Sequence, residues 1–265
     1  MRIQPTVIRG KVRLKNFDPD DCAGLDKEKT KKLADHHGRR IGELQELLYA
    51  NSNHAVLLVF QGMDASGKDG SIRSVLRHVN PAGVEVANFK VPSAEESAHD
   101  FLWRVHKVVP RFGNIGVFNR SHYEAVLAER VLELVPRKVW SRRYEQIVAW
   151  ERMLVENRVV VLKFYLHLSR KEQAKRIRER LANPKKYWKF SHADLKTRQH
   201  WDDYIIAYED MLNATSHPAA RWHVVPADRN WYRDYVVAKA VAEAMEGLAM
   251  KWPRPRENLS KIRFK

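Results

Sequence analysis

Apolar positions along the chain fall into two rhythms. The run "HAVLLVFQG" (54–62) is too apolar to alternate, and it reads as a strand buried on both faces. Four other runs, "GVEVANF" (83–89), "NIGVFN" (114–119), "RVVVLKFYLHL" (158–168) and "RWHVVPA" (221–227), read as further strands. Between them lie helical stretches: 26–50 with a thin apolar stripe, 67–80, 93–109 with Ser93 as N-cap, 137–157, 169–183 opened by Ser169, and 231–250. Residues 184–215 read as a connection followed by a helix, and "KNFDPDD" (15–21) as a turn-rich lead-in. Strand and helix alternate throughout. The expected class is therefore α/β, three layers, with a five-stranded parallel sheet between helices. Ligands of such sheets bind beyond the carboxyl ends of the strands. The polar clusters 62–69, 119–124 and 228–233 each follow a strand, so they should meet at one edge.

Composition narrows the class of partner. Of 265 residues, 44% are hydrophobic, enough for a sizeable core in one large domain or two small ones. Lys and Arg outnumber Asp and Glu by 48 to 32, a net +16 that favours polyanions, nucleotides, nucleic acid or an anionic surface. Cys22 is the only cysteine, which points to a reducing compartment and excludes an internal disulfide. The basic start has no apolar core of signal-peptide length, and no apolar run is long enough to span a bilayer. A cytoplasmic protein is expected. No paired cysteines or H-x-x-x-H spacing argue for zinc, and His122 and His192 are read as surface histidines.

Candidate chemistry starts at "GMDASGKDGSI" (62–72). Gly62, Gly67 and Lys68 have the spacing of a phosphate loop, G-x-x-x-x-G-K, between a strand and a helix. The glycines let backbone N–H groups face a phosphate, and the new helix adds its positive end. Ala65, Ser66, Gly67, Asp69 and Gly70 complete the expected phosphate-binding set with Gly62 and Lys68. The residue after the lysine is Asp69, where such loops carry Ser or Thr to bind magnesium. Asp69 is expected to face away and to cap or pair on the helix surface. Asp64 is better placed for a metal, or else it shapes the loop as an Asx turn. Ser71 is expected to be exposed. In "FNRSHYE" (118–124), Asn119 ends a strand where a second metal carboxylate is usual, and Arg120 is placed to neutralise phosphoryl oxygens. Alternatively, Asn119 is a turn residue and Arg120 a surface charge. The basic stretch from Lys175 to Lys189 is either a solvated helix or a lid that closes over phosphates and excludes water. Arg176 and Arg180 share one helical face, and Lys185, Lys186 and Lys189 follow.

Taken with "AERV" (128–131), "NPKKYWKF" (183–190) and "HWDDY" (200–204), these motifs resemble the polyphosphate kinase 2 family over roughly Phe17 to Met250. The resemblance implies a thymidylate-kinase-like phosphate-loop fold with a helical lid. It implies transfer of phosphoryl groups between inorganic polyphosphate and AMP, ADP or ATP, with Mg2+, or Mn2+ in its place. It implies Asp64 as a metal ligand, and places Lys90, Arg120, Arg130, Arg176 and Arg180 near nucleotide or polyphosphate, to which the lid reading adds Lys189. Many relatives carry Asp where Asn119 stands and Asn where Glu124 stands. The exchange resembles the subgroup that uses both AMP and ADP, and makes Asn119 and Glu124 further metal candidates. The expected organisation is one kinase domain over 1–265, with an N-terminal helical extension (1–53) and a lid at about 175–200. Dimers or tetramers are expected, and neither nucleic acid nor membrane. The competing readings are an ATP-dependent nucleotide or polynucleotide kinase and a nucleic-acid-binding module with a relict loop.

Overall fold

The computed structural model describes residues 6–255 together with 257, 259, 262 and 263. Its strands are β1 (Thr6–Val7), β2 (Ala55–Gln61), β3 (Val84–Asn88), β4 (Ile115–Asn119), β5 (Val159–His167) and β6 (Trp222–Pro226). They form one sheet in the order β1-β6-β5-β2-β4-β3. The five strands read from the sequence are all present and all parallel. The sheet also has a sixth strand that the sequence reading lacks. Two residues long, β1 runs antiparallel along the β6 edge, and Ile8 N donates to Trp222 O at 2.9 Å. Two residues carry no periodicity, so the pattern gave no signal for it.

The helices are α1 (Lys27–Asn51), α2 (Lys68–Val75), α3 (Ala94–Ser97), α4 (Trp103–His106), α5 (Ala128–Val131), α6 (Arg137–Glu156), α7 (Arg170–Leu181), α8 (His192–Gln199), α9 (Trp201–Thr215) and α10 (Asn230–Glu246). All seven side chains of β2 are buried, as a doubly covered strand requires. Their period of two separates the layers. Val56, Leu58 and Phe60 pack with Ile41, Leu44 and Leu48 of α1 and with Val236, Val237 and Val241 of α10. Leu57 and Val59 point the other way, toward Ile147 and Leu154 of α6 and Tyr208 and Met211 of α9.

Ser93 and Ser169 act as N-caps, accepting from Glu96 N and Glu172 N, each at 3.1 Å. The helix expected over 93–109 is instead two single turns, α3 and α4. Asp100 is the cause: its Oδ1 accepts from Leu102 N at 2.9 Å and Trp103 N at 3.2 Å, starting a new turn where the first would have continued. The helix expected to start at Gly67 is shorter than predicted and ends at Val75.

One position on β5 breaks the apolar pattern. Lys163 is fully buried on the α6 side, where it donates to Glu151 Oε2 at 2.6 Å, Tyr123 OH at 3.0 Å and Thr215 O at 2.8 Å. Glu151 also accepts from Tyr123 OH at 2.6 Å. His217 Nε2 lies 3.0 Å from Glu151 Oε2. Burial opposes ionisation of Glu151, but the Lys163 charge and the two neighbouring histidines prevail and hold its carboxyl well below the usual range. His122, expected at the surface, is buried beside this pair and packs edge-on to Trp150.

Candidate functional site

The three polar clusters do meet at the carboxyl edge of the sheet. β2 ends at Gln61, and the chain then turns through Gly62 (φ 151°), Ala65 (φ 66°) and Gly67 (φ 100°) before α2 begins at Lys68. Three left-handed residues in six make the tight loop that the spacing predicted. Lys68 folds back over it, its Nζ donating to Gly62 O at 2.8 Å and Met63 O at 3.3 Å. Burial, and secondarily the nearby Arg120 cation, lower the Lys68 pKa to about 8, against the pull of Asp64, Glu124 and Asp69. A desolvated cation at a loop mouth is ready to exchange carbonyl partners for phosphate oxygens.

Arg120 enters from the end of β4. Its own φ is 60°, an uncommon conformation for a residue with a side chain. Its Nη2 donates to Asp64 Oδ1 at 2.5 Å. Glu124, then Asp64, hold the guanidinium firmly protonated against its burial. The two carboxylates therefore converge on one cation. With its amide nitrogen toward Glu124, Gln61 donates to Glu124 Oε1 at 3.1 Å and accepts from Ser121 Oγ and N, fixing that carboxylate to the end of β2. Tyr204 and Tyr208 of α9 close this side. Burial raises the Tyr204 pKa to about 12, with the Glu124 and Asp64 charges adding to the effect. Tyr204 is the last residue of the "HWDDY" motif.

Asp69 does not turn away, contrary to expectation. Asn119 Nδ2 donates to Asp69 Oδ1 and to Asn88 Oδ1, both at 2.9 Å, so Asp69 faces the strand edge. Lys189 Nζ lies 3.9 Å from its other carboxylate oxygen, which links the segment before α8 to α2. Ser71, expected to be exposed, is buried and donates to Asp234 Oδ1 at 3.2 Å. Among the described residues, no group of three or more His, Cys, Asp or Glu is arranged to hold a metal ion. Asp64 and Glu124 supply two carboxylates at most, a donor set that suits a hard ion completing its shell with phosphate oxygens and water.

The basic residues divide. Lys90, Arg104, Arg120 and Arg143 line a cleft of about 540 Å³ with Phe101 and Glu124, next to the loop. Arg130 lies apart, beside a second cleft with His200 and Asp203. It donates to Tyr144 OH at 3.1 Å, pairs with Asp210 at 2.8 Å and stacks 4.4 Å over the Trp140 ring. Arg180 Nη1 donates to Lys189 O at 3.4 Å. Arg176 is committed elsewhere: it donates to Ala65 O, Ser66 O, Ala227 O and Asp228 O, behind the loop, and pairs with Glu172. Arg233, which the sequence placed in the polar cluster 228–233 but not among the named site residues, is buried beneath the loop and donates to Ser66 O at 3.2 Å. A further signal was its place in the apolar stripe of α10.

A model of the family described as "Polyphosphate kinase 2 (PPK2)" matches residues 24–252. The chain belongs to the polyphosphate kinase 2 family. A Meiothermus ruber protein named AMP/ADP-polyphosphate phosphotransferase is 49% identical over 263 residues, covering 98% of this chain and 97% of that protein. A Rhodopseudomonas palustris protein named ADP-polyphosphate phosphotransferase is also 49% identical, over 226 residues, covering 81% of this chain and 78% of that protein. The fold agrees. A crystal structure of polyphosphate kinase 2 from Arthrobacter aurescens TC1 superposes with a TM-score of 0.94 at 37% identity, covering 97% of this chain and 94% of that one.

Proposed function

We propose that this polyphosphate kinase 2 family member transfers the terminal phosphoryl group of inorganic polyphosphate to AMP and to ADP, reversibly. In each turnover the terminal P–O bond of the polymer breaks and a P–O bond to a nucleotide phosphate oxygen forms. The chain shortens by one phosphate, giving ADP or ATP. The attacking oxygen is already anionic, so the site needs no strong base. Its task is positioning and charge neutralisation.

The observation that carries this reading is the convergence of Lys68, Arg120, Asp64 and Glu124 at the mouth of a left-handed loop. Loop amides from Gly62 to Gly67 and the start of α2 receive phosphates. Lys68 and Arg120 neutralise the transferring group. Asp64 and Glu124 hold a divalent ion, for which Mg2+ is the proposal and Mn2+ a substitute. When bound, such an ion would supply positive charge to offset that of the phosphates. Asn119 keeps Asp69 beside this pair. The cleft lined by Lys90, Arg104 and Arg143 receives the nucleotide. Lys189 and Arg180 belong to the lid. Gln173 and Arg176 bind the loop itself, so the closing part lies beyond them, toward residue 200.

We read residues 1–265 as one kinase unit, cytoplasmic and assembled as a dimer or tetramer, with no nucleic-acid or membrane partner. No described helix is long and apolar enough to cross a membrane. Comparison of wild type with Lys68→Ala tests the catalytic reading. With polyphosphate as donor and AMP as acceptor, turnover should fall by about 10²-fold or more while the fold persists. Unchanged turnover in a folded Lys68→Ala protein would refute it.

A further inference from the structure

We infer that Arg176 and Arg233 are positioning residues that hold the phosphate loop in its ligand-ready backbone conformation from behind. The inference deepens the proposed function and rests on that reading of the loop.

Arg176, on α7, sends Nη1 to Ala65 O at 3.0 Å and Ser66 O at 3.2 Å, and Nη2 to Ala227 O at 2.7 Å and Asp228 O at 2.8 Å. Its Nε is held by Glu172 Oε1 at 3.0 Å. Arg233, on α10, brings Nη1 to the same Ser66 carbonyl at 3.2 Å, while Asp234 Oδ1 accepts from its Nε at 2.9 Å and its Nη2 at 2.7 Å. Two guanidinium groups from two helices thus share one carbonyl of the loop. A trans peptide points its N–H opposite its C=O. Fixing Ser66 C=O against the guanidinia therefore turns Gly67 N–H away from them, the direction a phosphate must take to reach it.

The glycines fit the same arrangement. A Cβ at Gly67 would collide with the Arg233 guanidinium, and one at Gly70 would sit 2.8 Å from Arg233 Nη2. Gly70 is bare because an arginine lies beneath it, so its absent side chain serves Arg233 and not the ligand. Ser71 Oγ joins the same cluster through Asp234 Oδ1. The loop, the middle of α7 and the start of α10 are tied into one block. Neither arginine touches the ligand in this account. Each acts through carbonyls, and each adds positive charge behind the amides.

The test uses Arg233→Met and Arg176→Met in the full chain, with inorganic tripolyphosphate and magnesium as the binding probe. Calorimetry should show tripolyphosphate affinity about tenfold weaker or more in each folded variant, with kcat on polyphosphate also reduced. The double variant should lose little more than the worse single one, because both side chains hold Ser66 O. Melting curves taken alongside separate positioning from stability. A lower melting temperature with wild-type affinity and kcat would overturn the inference. Should Arg233→Met fail to fold, Arg176→Met, which is partly exposed, decides the matter by the same criterion. Wild-type protein that binds no tripolyphosphate would overturn the functional reading first, and this inference with it.

Discussion

Arg120 Nη2 donates to Asp64 Oδ1 at 2.5 Å across the mouth of the phosphate loop, joining the end of β4 to the turn after β2. The contact places a cation for phosphoryl oxygens against the carboxylate proposed for the metal. Binding metal and polyphosphate together would exchange this single ion pair for two, carboxylate with metal and guanidinium with phosphate. Asp64→Asn should therefore lower kcat by about 10²-fold and raise the magnesium concentration needed for half-maximal rate. Rates across a magnesium titration check this. An unchanged magnesium requirement would remove Asp64 from the metal site.

Lys68 provides a pH signature. Its pKa, lowered by burial to about 8, means the free enzyme carries the Lys68 charge below that pH and loses it above. Because kcat/KM reports the free enzyme, kcat/KM for polyphosphate should fall as pH rises through about 8. Bound phosphates favour the charged form, so the corresponding fall in kcat should lie at higher pH. Lys68→Arg should abolish both alkaline limbs, whatever its rate. Parallel pH–rate profiles are the check.

Asn119 bonds to Asp69 and Asn88 through one amide nitrogen. Asn119→Asp would remove both donor bonds and set a second carboxylate against Asp69. Like charges at that range repel, and a metal or a less anionic acceptor then relieves the strain. The preference between AMP and ADP should shift, measured as the ratio of the two kcat/KM values. An unaltered ratio would dismiss Asn119 as a determinant of acceptor choice.

Much of this was legible in the sequence because the signals were local. The unbroken apolar run at 55–60 reads as a doubly buried strand, and G-x-x-x-x-G-K beside it could be read from spacing alone. Ser93 and Ser169 announced two helix starts. What escaped depended on partners far along the chain. Arg233 meets Ser66, which lies 167 positions away, and Lys163 meets Glu151 only because β5 packs on α6. Asp69 was expected to turn away because bound phosphates repel a carboxylate, but Asn119, at the end of β4, supplies the donor that holds it at the strand edge. Ser71 and His122 looked like surface residues by type, yet Asp234 and Glu151 give them polar company in the interior.

The Glu151–Lys163 pair makes a stability prediction separate from the active site. Removing one partner leaves an uncompensated charge in the core, so Lys163→Met should cost about 3–5 kcal/mol in urea unfolding. The double change Glu151→Leu with Lys163→Met should cost less than that single one. A double variant at least as unstable as Lys163→Met would show that the lost hydrogen bonds to Tyr123 and Thr215, not the stranded charge, set the cost.

The most direct measurement of the central claim is label transfer. Polyphosphate labelled at phosphorus is incubated with the purified protein, magnesium and unlabelled AMP, with no ATP added. We predict label in the β-phosphate of ADP and then in the γ-phosphate of ATP, with matching shortening of the polymer. Unlabelled AMP remaining as AMP beside intact polyphosphate, under conditions where ATP does serve as donor, would contradict it.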